Sequence, residues 1–326
     1  MNRREFIAGL GGAAAWPLVA RGQQAAMPVI GYLGSEAPER FASRLIAFRQ
    51  GLGAMSYDEG RNVTIEFRWA NGQSDQLPSL AADLVRRQVT VIAVPGSVVA
   101  ARAAKAATST IPIVFETGAD PVVAGLVQSL NKPEGNITGI SSLNMEIGAK
   151  RLELLRELVP AAKRFAVLVN PTNPVGADYL KSLEGPSRAL GLELQFLNAS
   201  TENEIDSAFI SLAALRVEGL LIGSDTFFNN RAQQLAALAL KHAMPAVLQA
   251  REFAMAGGLV SYGGDIRETH RQAGVYTGRI LKGEKPSDLP VQQVTKVELV
   301  INLKTAKALG LPVSLPLLGR ADEVIE

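Results

Sequence analysis

The feature that most constrains this chain is a repeated alternation. Short apolar runs closed by Gly, Pro, Ser or Asn alternate with stretches of helical periodicity, and the sequence goes through the cycle twice. In the first pass, strands are predicted at 28–33, 63–69, 89–94, 111–115 and 136–140. Helices are predicted between them at 41–55, 77–85, 98–107 and 121–130. The period changes from alternation at Ile65, Phe67 and Trp69 to helical spacing at Leu77, Leu80, Ala81, Leu84 and Val85. The second pass gives strands at 165–169, 192–197, 219–222, 245–248 and 259–262, with helices at 147–158, up to 190, 202–215, 232–241 and 267–281. Parallel neighbours need a crossover connection, so strands that alternate with helices build doubly wound sheets. The predicted class is α/β, with two doubly wound parallel-sheet lobes joined by a hinge. Lobe 1 is assigned mainly to 28–142, with a contribution from about 253–290, and lobe 2 mainly to 143–252. Residues 253–326 supply hinge crossings and C-terminal elements shared between lobes. The chain is expected to cross near 141–144, 251–257 and 290–296.

The amino end carries an export label. Arg3-Arg4 precede Phe6, a short Gly- and Ala-rich apolar stretch follows, and small residues stand at Ala20 and Gly22. This is the pattern of a twin-arginine signal peptide, residues 1–22, cut near Gly22/Gln23. The apolar stretch is shorter than the roughly 20 residues a membrane span needs. Without residues 1–22 the chain loses three arginines and one glutamate from its 33 basic and 31 acidic side chains, and the remainder is neutral. Nucleic acid is therefore not an expected partner. The absence of cysteine removes disulfides, thiolate metal sites and a lipid-anchoring cysteine. An exported chain without a tether is expected in a periplasm.

In open α/β sheets, ligands sit at the carboxyl ends of strands. The loops there carry Ser35, Glu36, Ser97, Thr117, Asp120, Asn170, Asp225, Phe228 and Tyr262, which are the candidate ligand-binding residues. A ligand carboxylate suits the helix starts near Ser97 and Asp120-Pro121. An ammonium suits Asp225, and Phe228 and Tyr262 could stack on a ring. Each Ser or Asp also has a plainer reading as a helix N-cap, and Phe115 reads as core. The two histidines, His242 and His270, fall on predicted helices away from strand ends, with a partly exposed or capping role expected. No Gly-x-Ser-x-Gly elbow, metal set or dinucleotide fingerprint is present, so neither an enzyme nor a cofactor is expected.

A series of segments then resembles one known family. They include Gly60-Arg61-Asn62-Val63, Arg68-Trp69-Ala70, Asp120-Pro121-Val122, Gly135-Asn136-Ile137-Thr138-Gly139, Lys150-Arg151-Leu152-Glu153, Ser261-Tyr262-Gly263 and Asn302-Leu303-Lys304-Thr305. The chain is similar over nearly all of its length after the leader to substrate-binding proteins of ABC transporters of the tryptophan/tyrosine type. Pro312-Val313-Ser314 departs from the pattern at a connection near the carboxyl end. The resemblance implies a type I periplasmic-binding-protein fold that closes on a small molecule, an amino acid or aromatic amino-acid-like carboxylate. It further implies delivery to a membrane permease with its ATPase. A monomer is expected. The alternative is a periplasmic ligand-sensing subunit of a signalling receptor.

Overall fold

The structure is a computed structural model that describes residues 27–142 and 144–326. The expected signal peptide lies outside the described residues. Five parallel strands form the first sheet: β1 (Val29–Gly34), β2 (Thr64–Trp69), β3 (Val91–Pro95), β4 (Ile113–Thr117) and β5 (Ile137–Ser141). Five more open the second: β6 (Arg164–Val169), β7 (Glu193–Asn198), β8 (Gly219–Ile222), β9 (Ala246–Leu248) and β10 (Val260–Gly264). The middle strands are buried along their whole length, which is why they read as continuous apolar runs. In the first sheet the order runs β5-β4-β3-β1-β2, and in the second β10-β9-β8-β6-β7. Each therefore reverses beside its first strand, and both leave a crevice at the carboxyl ends.

Three further strands complete the sheets. The chain adds β11 (Gln292–Gln293) in parallel beside β5, then β12 (Val297–Asn302) antiparallel to β10, then β13 (Glu323–Ile325) parallel to β12. Each sheet has an apolar core on both faces. One set includes Phe115 and Leu84 opposite Tyr32 and Phe48; the other includes Phe228 and Phe253 opposite Phe165 and Leu152.

The chain passes between the sheets three times. It leaves β5 for the helix Gly148–Leu158, which packs on β8 and β9. It returns after β10 through the helix Ile266–Leu281, which packs on the helix Ala42–Ala54 and on β3, β4 and β5. It passes back between β11 and β12. The second passage thus follows Gly264, not the expected 251–257. That stretch instead forms the helix Arg251–Met255, fixed in the second lobe by the fully buried Phe253 and by pairs from Arg251 to Glu298 and Glu323. The returning helix lies close on its neighbour because both carry glycine at the contact. A Cβ on Gly51 would stand 1.9 Å from the Arg271 carbonyl oxygen, and one on Gly274 2.1 Å from that of Phe48.

Arg151 joins two of the passages. It is fully buried. Its Nε donates to the Tyr262 carbonyl at 2.7 Å, one terminal nitrogen to Ser224 Oγ at 2.8 Å, and the other to the Asn144 carbonyl. Asn144 Oδ1 in turn accepts from the Gly264 amide at 2.8 Å. The guanidinium has no carboxylate within salt-bridge distance among the described residues, so two carbonyl oxygens and one hydroxyl take the place of a counter-ion.

Residues 121–130 form turns where a helix is expected. Asp120 Oδ1 accepts from the amides of Val122 and Val123, and Gly125 takes φ +67°. Two β-branched residues with a glycine two positions further on hold a helix poorly.

Candidate functional site: the cleft between the lobes

The carboxyl ends of the two sheets face each other across a cavity of about 110 Å³. A single water needs only about 10–15 Å³ on such a measure, so the space suits a small solute. Charged side chains of the two lobes also pair with each other. Arg40 pairs with Glu202 at 2.5 Å and donates to the Asn230 carbonyl at 2.8 Å. Arg231 reaches Glu36 and Glu202, each at 3.3 Å, and lies 3.8 Å above the Phe227 ring. Thr226 Oγ1 donates to the Gly96 carbonyl. The lobes are closed on each other.

Of the nine residues singled out from sequence, six line this cavity: Ser35, Glu36, Ser97, Thr117, Asn170 and Asp225. Several are occupied locally. Ser97 Oγ accepts from the Ala100 amide and caps the helix Val98–Ala107; Thr117 Oγ1 accepts from the Ala119 amide. Asp225 caps a short turn of helix, Thr226–Asn229. Its Oδ1 accepts from the Phe227 amide at 2.7 Å and Asn170 Nδ2 at 3.2 Å, and its Oδ2 from Asn173 Nδ2 at 2.7 Å. Burial raises the Asp225 carboxyl, and these donors hold it back. Burial likewise raises Glu36, opposed by Arg231.

The other three lie elsewhere. Asp120 caps the turn after β4. Phe228 is fully buried in the second lobe's core, and Phe227 faces the cavity in its place; successive helical residues differ by about 100° in direction. Tyr262 lies within β10, with its side chain against the second lobe's core and its carbonyl on Arg151. Neither ring is available to stack on a ligand in the cavity.

Among the lining residues that sequence reasoning missed are Arg44, Glu116, Gln249 and His270. His270 corrects an expectation, since it is fully buried and borders the cavity. Its position was readable from Ile266, His270, Ala273 and Thr277, a stripe on one face of the helix Ile266–Leu281. Glu116 was readable as a carboxylate in an apolar strand end, Ile113-Val114-Phe115-Glu116-Thr117. Burial pushes its carboxyl up to about 7. Burial, with Arg44 nearby, drives the His270 imidazole down to about 3, so the ring is neutral. Desolvation also lowers Arg44, which no carboxylate approaches within salt-bridge distance among the described residues.

Two closed lobes around a polar pocket define a solute-binding protein. The profile of the family described as ABC transporter substrate binding protein matches residues 41–325, and the chain belongs to that family. It is similar to the tyrosine-binding protein of Clostridioides difficile (strain R20291), with 29% identity over 265 residues, covering 81% of this chain and 75% of that one. Among solved structures, a conserved domain protein of Vibrio cholerae superposes with a TM-score of 0.84 at 26% identity, over 91% of this chain and 99% of that one. A Streptococcus pneumonia ABC domain in complex with L-Trp gives 0.83 at 24% identity, with the same coverage. The fold is that of type I periplasmic binding proteins. Among the described residues no three His, Asp or Glu side chains converge as a metal site, and no helix is long and apolar enough to cross a membrane.

Proposed function

We propose that this protein is the periplasmic solute-binding component of an ABC importer. It captures an amino acid or aromatic amino-acid-like carboxylate in the interlobe cleft and delivers it to an inner-membrane permease and its ATPase. The twin-arginine leader is removed near Gly22/Gln23, and the exported chain works as a monomer.

The observation that carries this reading is the cleft itself, which has polar groups from both lobes, with ion pairs between the lobes. A ligand that touches both walls binds the closed form better than the open one, and only such differential binding shifts the population. Hinge motion about the three passages supplies the change. Arg151 and Asn144 tie the strands there and keep the rotation local. The amino-acid class is supported by the tyrosine-binding relative and by the likeness to the L-Trp complex. Val98, Val99, Met145, Val175, Phe227 and Ile266 offer apolar area beside the polar groups.

A thermal-shift panel tests the reading. L-Tyrosine, L-tryptophan, other amino acids, aromatic acids, sugars and inositols are each added to the purified protein. Ligand at about 100 times its Kd stabilises the folded state by about 2.7 kcal/mol, and a rise of several degrees with an amino acid or aromatic acid is expected. A rise with sugars or inositols alone would overturn the ligand class.

A further inference from the structure

Three acceptors bordering the cavity, two on the first lobe and one on the second, have no donor committed to them alone, in contrast to the occupied oxygens of Asp225. His270 Nδ1 lies 2.8 Å from the Ile266 carbonyl oxygen, and since a carbonyl can only accept, Nδ1 carries the proton. Nε2 is therefore an acceptor, and it is buried with no partner. Gly96, at φ +95°, keeps the space before it open; a Cβ there would lie 3.6 Å from Nε2.

Glu116, 5% exposed, is the second acceptor. The donors nearest its carboxylate are the Thr269 hydroxyl and the Gly96 amide. Both have other acceptors: Thr269 Oγ1 is 2.9 Å from the Ile266 carbonyl, and the Gly96 nitrogen is 3.0 Å from the Glu116 main-chain oxygen. His270 Nδ1 lies 3.9 Å from the carboxylate. The third acceptor is Gln249 Oε1, 6% exposed as a residue and unpartnered, which enters from the end of β9 in the second lobe.

Buried acceptors without donors cost stability unless something fills them. A primary ammonium carries three N–H donors, one for each. We propose that the ligand's primary amine is received by Glu116, His270 and Gln249 at the floor of the cleft, not by Asp225. Arg44 lines the same cavity with its guanidinium free of carboxylates among the described residues, so a zwitterion finds its opposite charge close by. This assignment rests on the amino-acid reading above and adds to it a position for the amine.

Matched ligands with and without the amine test it. Calorimetry compares L-tyrosine with 3-(4-hydroxyphenyl)propionate and L-tryptophan with indole-3-propionate, on the wild-type protein and on Glu116→Gln, His270→Leu and Asp225→Asn. Charge-assisted hydrogen bonds are worth about 10–100-fold in affinity, and the wild type is expected to favour each amino acid by at least that factor. Glu116→Gln and His270→Leu are expected to reduce the preference by about 10-fold or more, with the propionates binding as before. Glu116→Gln keeps shape and volume, so it remains informative should His270→Leu fail to fold. Amino acids bound no better than the propionates, or a preference lost in Asp225→Asn and kept in the other two, would overturn the assignment and leave the ligand class standing. No binding by any of the four compounds would overturn the ligand class and the assignment together.

Discussion

Two carboxylates face one cleft from opposite lobes, and their surroundings differ in kind. Asp225 has three donors at 2.7 to 3.2 Å, from one backbone amide and two asparagines, and serves as a helix cap besides. Glu116 ends an apolar strand, next to donors that are already engaged and an imidazole whose free nitrogen is an acceptor like itself. The Asp225 carboxylate is complete without a ligand and the Glu116 carboxylate is not. A carboxylate near a site is thus a poor guide to binding until its existing donors are counted.

The largest effect expected from breaking this contrast is on stability. Asp225→Ala removes a cap and leaves the Asn170 and Asn173 amides without their acceptor, at a cost of about 2–4 kcal/mol in chemical denaturation. A loss below about 1 kcal/mol would mean that the network does not hold the loops.

Glu116 is expected to act through pH. Its carboxyl in the folded protein lies near 7 against an ordinary 4.5, so the folded state binds the proton more tightly and loses stability as pH rises through that window. His270 acts in the opposite sense. Its folded value near 3 against an ordinary 6.5 gives stability that is present above 6.5 and lost as pH falls toward 3. Arg44, the charged neighbour of both, keeps its charge throughout. In Glu116→Gln the Glu116 contribution is gone and the others are common to both proteins, so the variant should gain several degrees in melting temperature over the wild type between pH 5 and pH 8 without ligand. A constant difference across that range would contradict the burial of an ionisable Glu116.

The smallest effect is at the ion pair between the lobes. Arg40 and Glu202 are partly exposed, and such pairs contribute about 0.2–1 kcal/mol. Arg40→Ala is expected to weaken ligand binding less than about tenfold, with the loss shrinking in high salt. An equal loss at all salt concentrations would show that Arg40 acts by something other than its charge.

Much of the frame was legible in the sequence, since buried parallel strands read as unbroken apolar runs and the helices between them keep their period. The helices at 202–215 and 232–241 stand where the pattern put them. The turns after Asp120 were misread because an N-cap signal begins a helix and a turn alike. The short strands β11 and β13 carry too few residues to show a period. Within the site, strand-end loops led to Ser35, Glu36, Ser97, Thr117, Asn170 and Asp225, all of which line the cavity. Arg44 and His270 escaped because they stand on helices and not at strand ends, and the stripe around His270 marks its burial without marking the cavity beside it. Phe228 and Tyr262 were misplaced by a single step of direction, along a helix in one case and a strand in the other.

The central claim is that two hinged lobes close on one small zwitterion, and X-ray scattering in solution tests it most directly. The protein without ligand is expected to scatter as a more open particle than the structure described above. Saturating L-tyrosine or L-tryptophan should shrink its radius of gyration to the value calculated from that structure. Identical profiles with and without amino acids that bind by calorimetry would contradict it.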